Sequence, residues 1–81
     1  MTINEYIGSR IRELREKKGL SIRSAAAEIG MNWSTLHNYE DGRRSIPLDA
    51  LNRIARYYNA SAGEILSDTL DLMNKDELED A

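Results

Sequence analysis

Gly19, Gly30 and Gly42 constrain this chain more than any other feature. Each closes a run whose apolar residues recur at helical spacing, and each is followed within a few residues by a fresh helix start. An interval of about eleven residues holds a helix of two to three turns plus its connection, and nothing longer. The apolar positions agree: Ile3, Ile7, Ile11 and Leu14; Ile22, Ala25, Ala26 and Ile29; Leu48, Leu51, Ile54, Ala55 and Tyr58.

The starts are equally legible. Thr2 with Glu5 and Ser61 with Glu64 have capping-box spacing, Ser21 and Asn32 are good caps, and Ser45 is followed by Pro47 just inside the next helix. Five helices are predicted, at about 3–18, 21–29, 32–41, 47–58 and 62–67. After Ser67 the signal weakens: Leu66, Leu70 and Met73 keep a 4, 3 spacing that fits either an extension of the fifth helix or a further one, and the stretch from Asp76 to Asp80 is expected to fray. The reading is one compact all-α domain over residues 1–66 and an acidic, partly helical tail over residues 67–81.

Several function classes are excluded early. With no cysteine and one histidine, the chain has no disulfide, no thiolate zinc site and no unaided histidine site, so neither metal nor cofactor is expected. The five glycines form no phosphate loop, and Ser34 has no base arranged around it; no catalytic residue is assigned. No apolar stretch approaches the roughly 20 residues of a membrane span, and a cytoplasmic protein without a membrane partner is expected. At 81 residues the core is small, which favours a second copy as partner.

The formal charge of −3 conceals a division. Residues 1–63 carry ten Lys and Arg against seven Asp and Glu, a balance of +3, whereas residues 64–81 set Lys75 against seven acids, a balance of −6. The body is mildly basic, with Arg10, Arg12, Arg15, Lys17 and Lys18 close together, and the end is acidic.

Leu20 to Arg44 has the layout of a helix, a sharp glycine-containing turn and a second helix. Two helices crossing steeply need a small contact residue, which Ala26 supplies. On the third helix, Met31, Thr35, Leu36 and Tyr39 form one stripe and leave Trp33, Ser34, His37, Asn38 and Asp41 on the other. That outward stripe is made of groups able to donate and accept at base edges, with no Lys, Arg or Glu among them. Trp33 fits contact with a base, packing against the second helix, or the cover of a subunit contact.

In their order and spacing, Leu20-Ser21, Ala26, Gly30, Ser34-Thr35-Leu36, Tyr39 through Arg44, and Pro47 make the span from Ile7 to Leu66 resemble the phage repressor and Cro (Xre) type of helix-turn-helix regulator. The resemblance implies a five-helix, lambda-repressor-like fold that binds double-stranded DNA, with the third helix in the major groove. It implies base contacts from Trp33, Ser34, His37 and Asn38, and phosphate contacts from Asn32, Arg43 and the start of the second helix, where Ser21 and Arg23 stand. Arg10, Arg44 and their basic neighbours add phosphate attraction. It also sets Arg15 against Glu40 as a partly buried structural ion pair. Two departures stand out. Relatives commonly carry Gln where this chain has Ile22, and Gln or Arg where it has Trp33.

The leading reading is a transcriptional repressor or controller that binds operators as a homodimer, with Ile65, Leu66, Leu70 and Met73 as the candidate dimer contact. The rival is a protein-interaction adaptor or antitoxin-like subunit whose acidic, leucine-containing tail holds a protein partner.

Overall fold

The computed structural model describes residues 1–80, with the side chains of residues 1–78; Ala81, the last position of the expected tail, lies outside the described residues. Five helices follow one another: α1 (Ile3–Lys17), α2 (Ile22–Ile29), α3 (Trp33–Glu40), α4 (Leu48–Tyr57) and α5 (Ala62–Asp80). No strand occurs among the described residues.

The caps explain most boundaries. Thr2 Oγ1 accepts from the Glu5 N–H at 3.2 Å while Glu5 Oε1 accepts from the Thr2 N–H at 2.8 Å, completing the capping box. Ser21 and Ser61 accept from the N–H groups of Ser24 and Glu64. At α4 the expectation needs correcting, because Pro47 rather than Ser45 is the N-cap, with no side-chain cap bond. Pro47 is extended, at φ −58° and ψ 147°, and its carbonyl accepts from the Leu51 N–H at 2.9 Å. Ser45 Oγ instead accepts from Asn4 Nδ2 at 3.3 Å.

One core serves all five helices: Ile7 and Ile11, Ala25, Ala26 and Ile29, Leu36 and Tyr39, Leu51, Ile54 and Ala55, and Ile65. α1 crosses α3 with almost no gap. A β-carbon on Gly8 would stand 2.3 Å from the Tyr39 carbonyl oxygen and 2.5 Å from that of Glu40, so only glycine admits this approach.

The largest difference from expectation is at the end of α5, which extends past Ser67 as one helix and includes the Asp76 to Asp80 stretch expected to fray. Its inward stripe is Ile65, Thr69 and Asp76. Ile65 and Thr69 are fully buried, Asp68 takes the guanidinium of Arg10, and Asp76 accepts from the Tyr6 hydroxyl. Tyr6 and Arg10 stand one turn apart on α1 and meet α5 in reverse order, so the two helices run antiparallel. The contacts with α1 extend the helix well beyond what its own apolar spacing supports.

Candidate nucleic-acid interface

α2 and α3 are joined by a turn that only one backbone conformation permits. Gly30 sits at φ 87° and ψ 42°, in the left-handed region, and the N–H groups of Gly30 and Met31 both reach the Ala26 carbonyl at 2.9 Å. Ala26 is buried at this crossing, as its small size requires. Asn32 then caps α3, its Oδ1 accepting from the Ser34 N–H at 2.9 Å and the Ser34 hydroxyl at 2.6 Å.

Leu36 and Tyr39 hold α3 in the core, which leaves Trp33, Ser34 and His37 exposed and Asn38 half-buried at the edge. The expected reading residues therefore share one side of one helix. Their donors and acceptors are not all idle. The Ser34 hydroxyl gives its proton to Asn32 and retains its lone pairs, and His37 Nε2 lies 3.2 Å from Asp41 Oδ2. Asp41 Oδ2 also has Arg43 Nε at 3.7 Å, so one carboxylate stands between a base-reading candidate and a phosphate candidate.

The expected phosphate residues divide. Ser21 caps α2, and its hydroxyl donates to Ser24 Oγ at 3.0 Å. Asn32 uses its side-chain oxygen for the cap and has its N–H donors left for an anion. Arg23, Arg43 and Arg44 are exposed around the α2–α3 unit, and the Arg23 guanidinium lies over the Trp33 ring, 4.4 Å from its centroid. Arg10 departs from its expected role. It is held at the α1–α5 seam by Asp68, with Nη2 and Nε at 3.0 and 3.2 Å, and by Glu13, and these bonds raise its pKa against the opposing effect of burial. A guanidinium engaged by two carboxylates must exchange them before it meets a phosphate.

Arg15 and Glu40 brace the unit from behind. Arg15 donates to both oxygens of Glu40 and to the Leu20 carbonyl at 2.8 Å, joining α1, the end of α3 and the approach to α2. The hydrogen bonds to Glu40 raise the Arg15 pKa.

The α5 residues expected at a dimer contact have different placements. Ile65 is only 2% exposed and belongs to the protomer's own core, so it cannot also face a second copy. Leu66 and Met73 are half-buried beside the inward stripe, and Leu70 is exposed.

Sequence reasoning missed Arg53, which reaches from α4 to donate to the Gly30 carbonyl at 3.3 Å and brings a further cation beside the turn. Its charge and helix were visible, but not the crossing that delivers it there. Among the described residues, no group of three or more His, Cys, Asp or Glu could hold a metal ion, and no helix is long and apolar enough to cross a membrane.

Comparison with known proteins agrees with this architecture. The model of a helix-turn-helix domain family matches residues 7–66. The cryptic phage CTXphi transcriptional repressor RstR of Vibrio cholerae is 33% identical over 61 residues, 75% of this chain and 55% of that protein. The HTH-type transcriptional regulator ImmR of Bacillus subtilis is 30% identical over 76 residues, covering 85% of this chain and 60% of its own length. This chain thus spans little more than half of either relative. In three dimensions it is similar to the clp gene regulator ClgR from Corynebacterium glutamicum, with a TM-score of 0.86 at 21% identity, over 99% of this chain and 85% of that one. With that match running from α1 into α5, and with the turn at Gly30 and the exposed face of α3 in place, the chain belongs to the helix-turn-helix domain family.

Proposed function

We propose that this protein is a sequence-specific, DNA-binding transcriptional regulator of the cytoplasm that lays α3 in the major groove and acts as a homodimer. One observation carries the reading. α3 turns a row of hydrogen-bonding side chains, Trp33, Ser34 and His37 with Asn38 at its edge, away from a core that fixes its other side. Base edges are read by such groups, while cations of looser placement attract phosphates. Arg23, Arg43 and Arg44 are the exposed cations suited to the second task. The names of the relatives, a phage repressor and an HTH-type regulator, support the same role.

A dimer follows from how such helices read DNA, because two copies present two α3 helices to successive turns of one groove. Leu70, with Leu66 and Met73 beside it, is the contact proposed for a second copy; Leu72 and Leu78 are exposed on α5 as well. The adaptor reading stands behind. Asp68 and Asp76, two acids of the supposed binding tail, are engaged by Arg10 and Tyr6 within the protomer.

Selection of bound sites from random double-stranded DNA tests the proposal. It should enrich two related half-sites centred roughly 34 Å apart, one helical turn. Recovery of random sequence at every salt concentration tried would reject it.

A further inference from the structure

Arg23 is an exposed cation near the α2–α3 turn, yet it lies against an aromatic ring rather than open to solvent on all sides. Its guanidinium carbon lies 4.4 Å from the centroid of the Trp33 ring, so a residue of α2 rests on the first residue of α3. Among the described residues no carboxylate holds it. Ile22, its neighbour, is half-buried against the core and has no polar group with which to bridge the two helices. Trp33 is 41% exposed at the end of the helix whose N-terminal residues meet base edges, and an indole so exposed has several orientations open to it unless something covers a face.

We infer that Arg23 is a specificity-determining positioning residue: by stacking on Trp33 it fixes the indole at the mouth of the groove, and the two residues discriminate the same base pairs. The inference rests on the proposal that α3 reads DNA. A planar guanidinium stacks on an aromatic face while keeping its five in-plane donors, whereas an ammonium keeps the charge and loses the plane. Arg23→Lys therefore separates orientation of the indole from simple phosphate attraction.

The experiment compares wild type, Arg23→Lys, Trp33→Ala and the double variant on a library of sites varied at each position and at several salt concentrations. Trp33 is the chain's one tryptophan, so acrylamide quenching of its fluorescence in the free proteins reports the stack directly. Arg23→Lys is expected to keep the salt dependence and to increase quenching. Discrimination should fall at the base pairs where Trp33→Ala also loses it, by no more than about 2- to 5-fold, the size of a whole exposed cation–π contact, of which an ammonium keeps part. The double variant should be no worse than Trp33→Ala. Unchanged quenching and preference in Arg23→Lys, or losses at separate positions that multiply in the double variant, would overturn the inference while leaving the DNA reading intact. A wild-type protein without sequence preference would overturn that reading, and this inference with it.

Discussion

Arg15 and Glu40 meet between α1 and the end of α3 through N–H···O contacts of 2.8, 3.0 and 3.2 Å, with the Glu40 side chain 3% exposed. Burying two charges is costly, and the pair repays that cost only while both partners are present. Glu40→Ala should destabilise the fold by about 3–5 kcal/mol in urea titration, the usual loss when one member of a buried pair is removed. Replacing both residues with well-fitting apolar side chains should cost clearly less. Equal losses for the single and double variants would mean that the pair is not the reason Glu40 matters.

Gly8 and Gly19 offer a paired test of why glycine is used. At Gly8 an added methyl meets the backbone oxygens of α3, which cannot swing aside, whereas at Gly19 nothing lies within 4 Å and the only obstacle is φ 71°. Gly8→Ala should cost at least the roughly 1–3 kcal/mol typical of overpacking and lower DNA binding by displacing α3. Gly19→Ala should cost about 1 kcal/mol and leave the binding preference unchanged. Thermal melts of the two variants side by side decide it.

Tyr58 carries a stability signature at high pH. Burial pushes its hydroxyl up to about 12, helped by the nearby Glu40 charge, and among the described residues that hydroxyl has no hydrogen-bond partner. The unfolded chain releases this proton near pH 10 and the folded one near 12, so the stability is fully present below about pH 10 and falls as the pH rises from 10 to 12. Tyr58→Phe removes an unsatisfied polar atom and should be neutral or mildly stabilising at pH 7. Between pH 10 and 12 its stability should decline less steeply than that of wild type.

Substitutions along α5 separate the core from the proposed dimer contact. Ile65→Ala should destabilise the protomer itself by about 2–5 kcal/mol, because its side chain is fully buried. Leu70→Lys should leave the melting temperature of dilute protein nearly unchanged and shift sedimentation from dimer to monomer. A dimer unaffected by Leu70→Lys would place the second copy elsewhere.

What the sequence disclosed, and what it concealed, follows from the range of the interactions. Caps and left-handed glycines act within four residues, so the starts at Thr2, Ser21, Asn32 and Ser61 and the turn at Gly30 were legible. Long-range crossings were not. Gly8 reads as an ordinary position inside a helix until α3 lies against it, and Arg53 as a surface charge until α4 brings it to Gly30. α5 differs from expectation because its apolar line, Ile65, Leu66, Leu70 and Met73, reads as one contact for a second copy, whereas Ile65 turns into the protomer's own core. Thr69 is buried and Leu70 is exposed, since contacts with α1 through Arg10 and Tyr6 set the rotation of the helix. The reading face of α3 was visible as a stripe. The placement of the Arg23 guanidinium over the Trp33 ring required the α2–α3 crossing.

The central claim is that α3 reads and its flanking cations position, and the most direct measurement is the full sequence-preference profile of three variants across a range of salt. Arg43→Ala should weaken all sites alike and reduce the log–log salt slope by about 0.9, one phosphate contact. His37→Ala and Asn38→Ala should instead relax preference at one or two positions per half-site, by about 1–3 kcal/mol each, with little change in slope. If all three variants scaled every sequence equally, α3 would not be the reading helix and the account would fail.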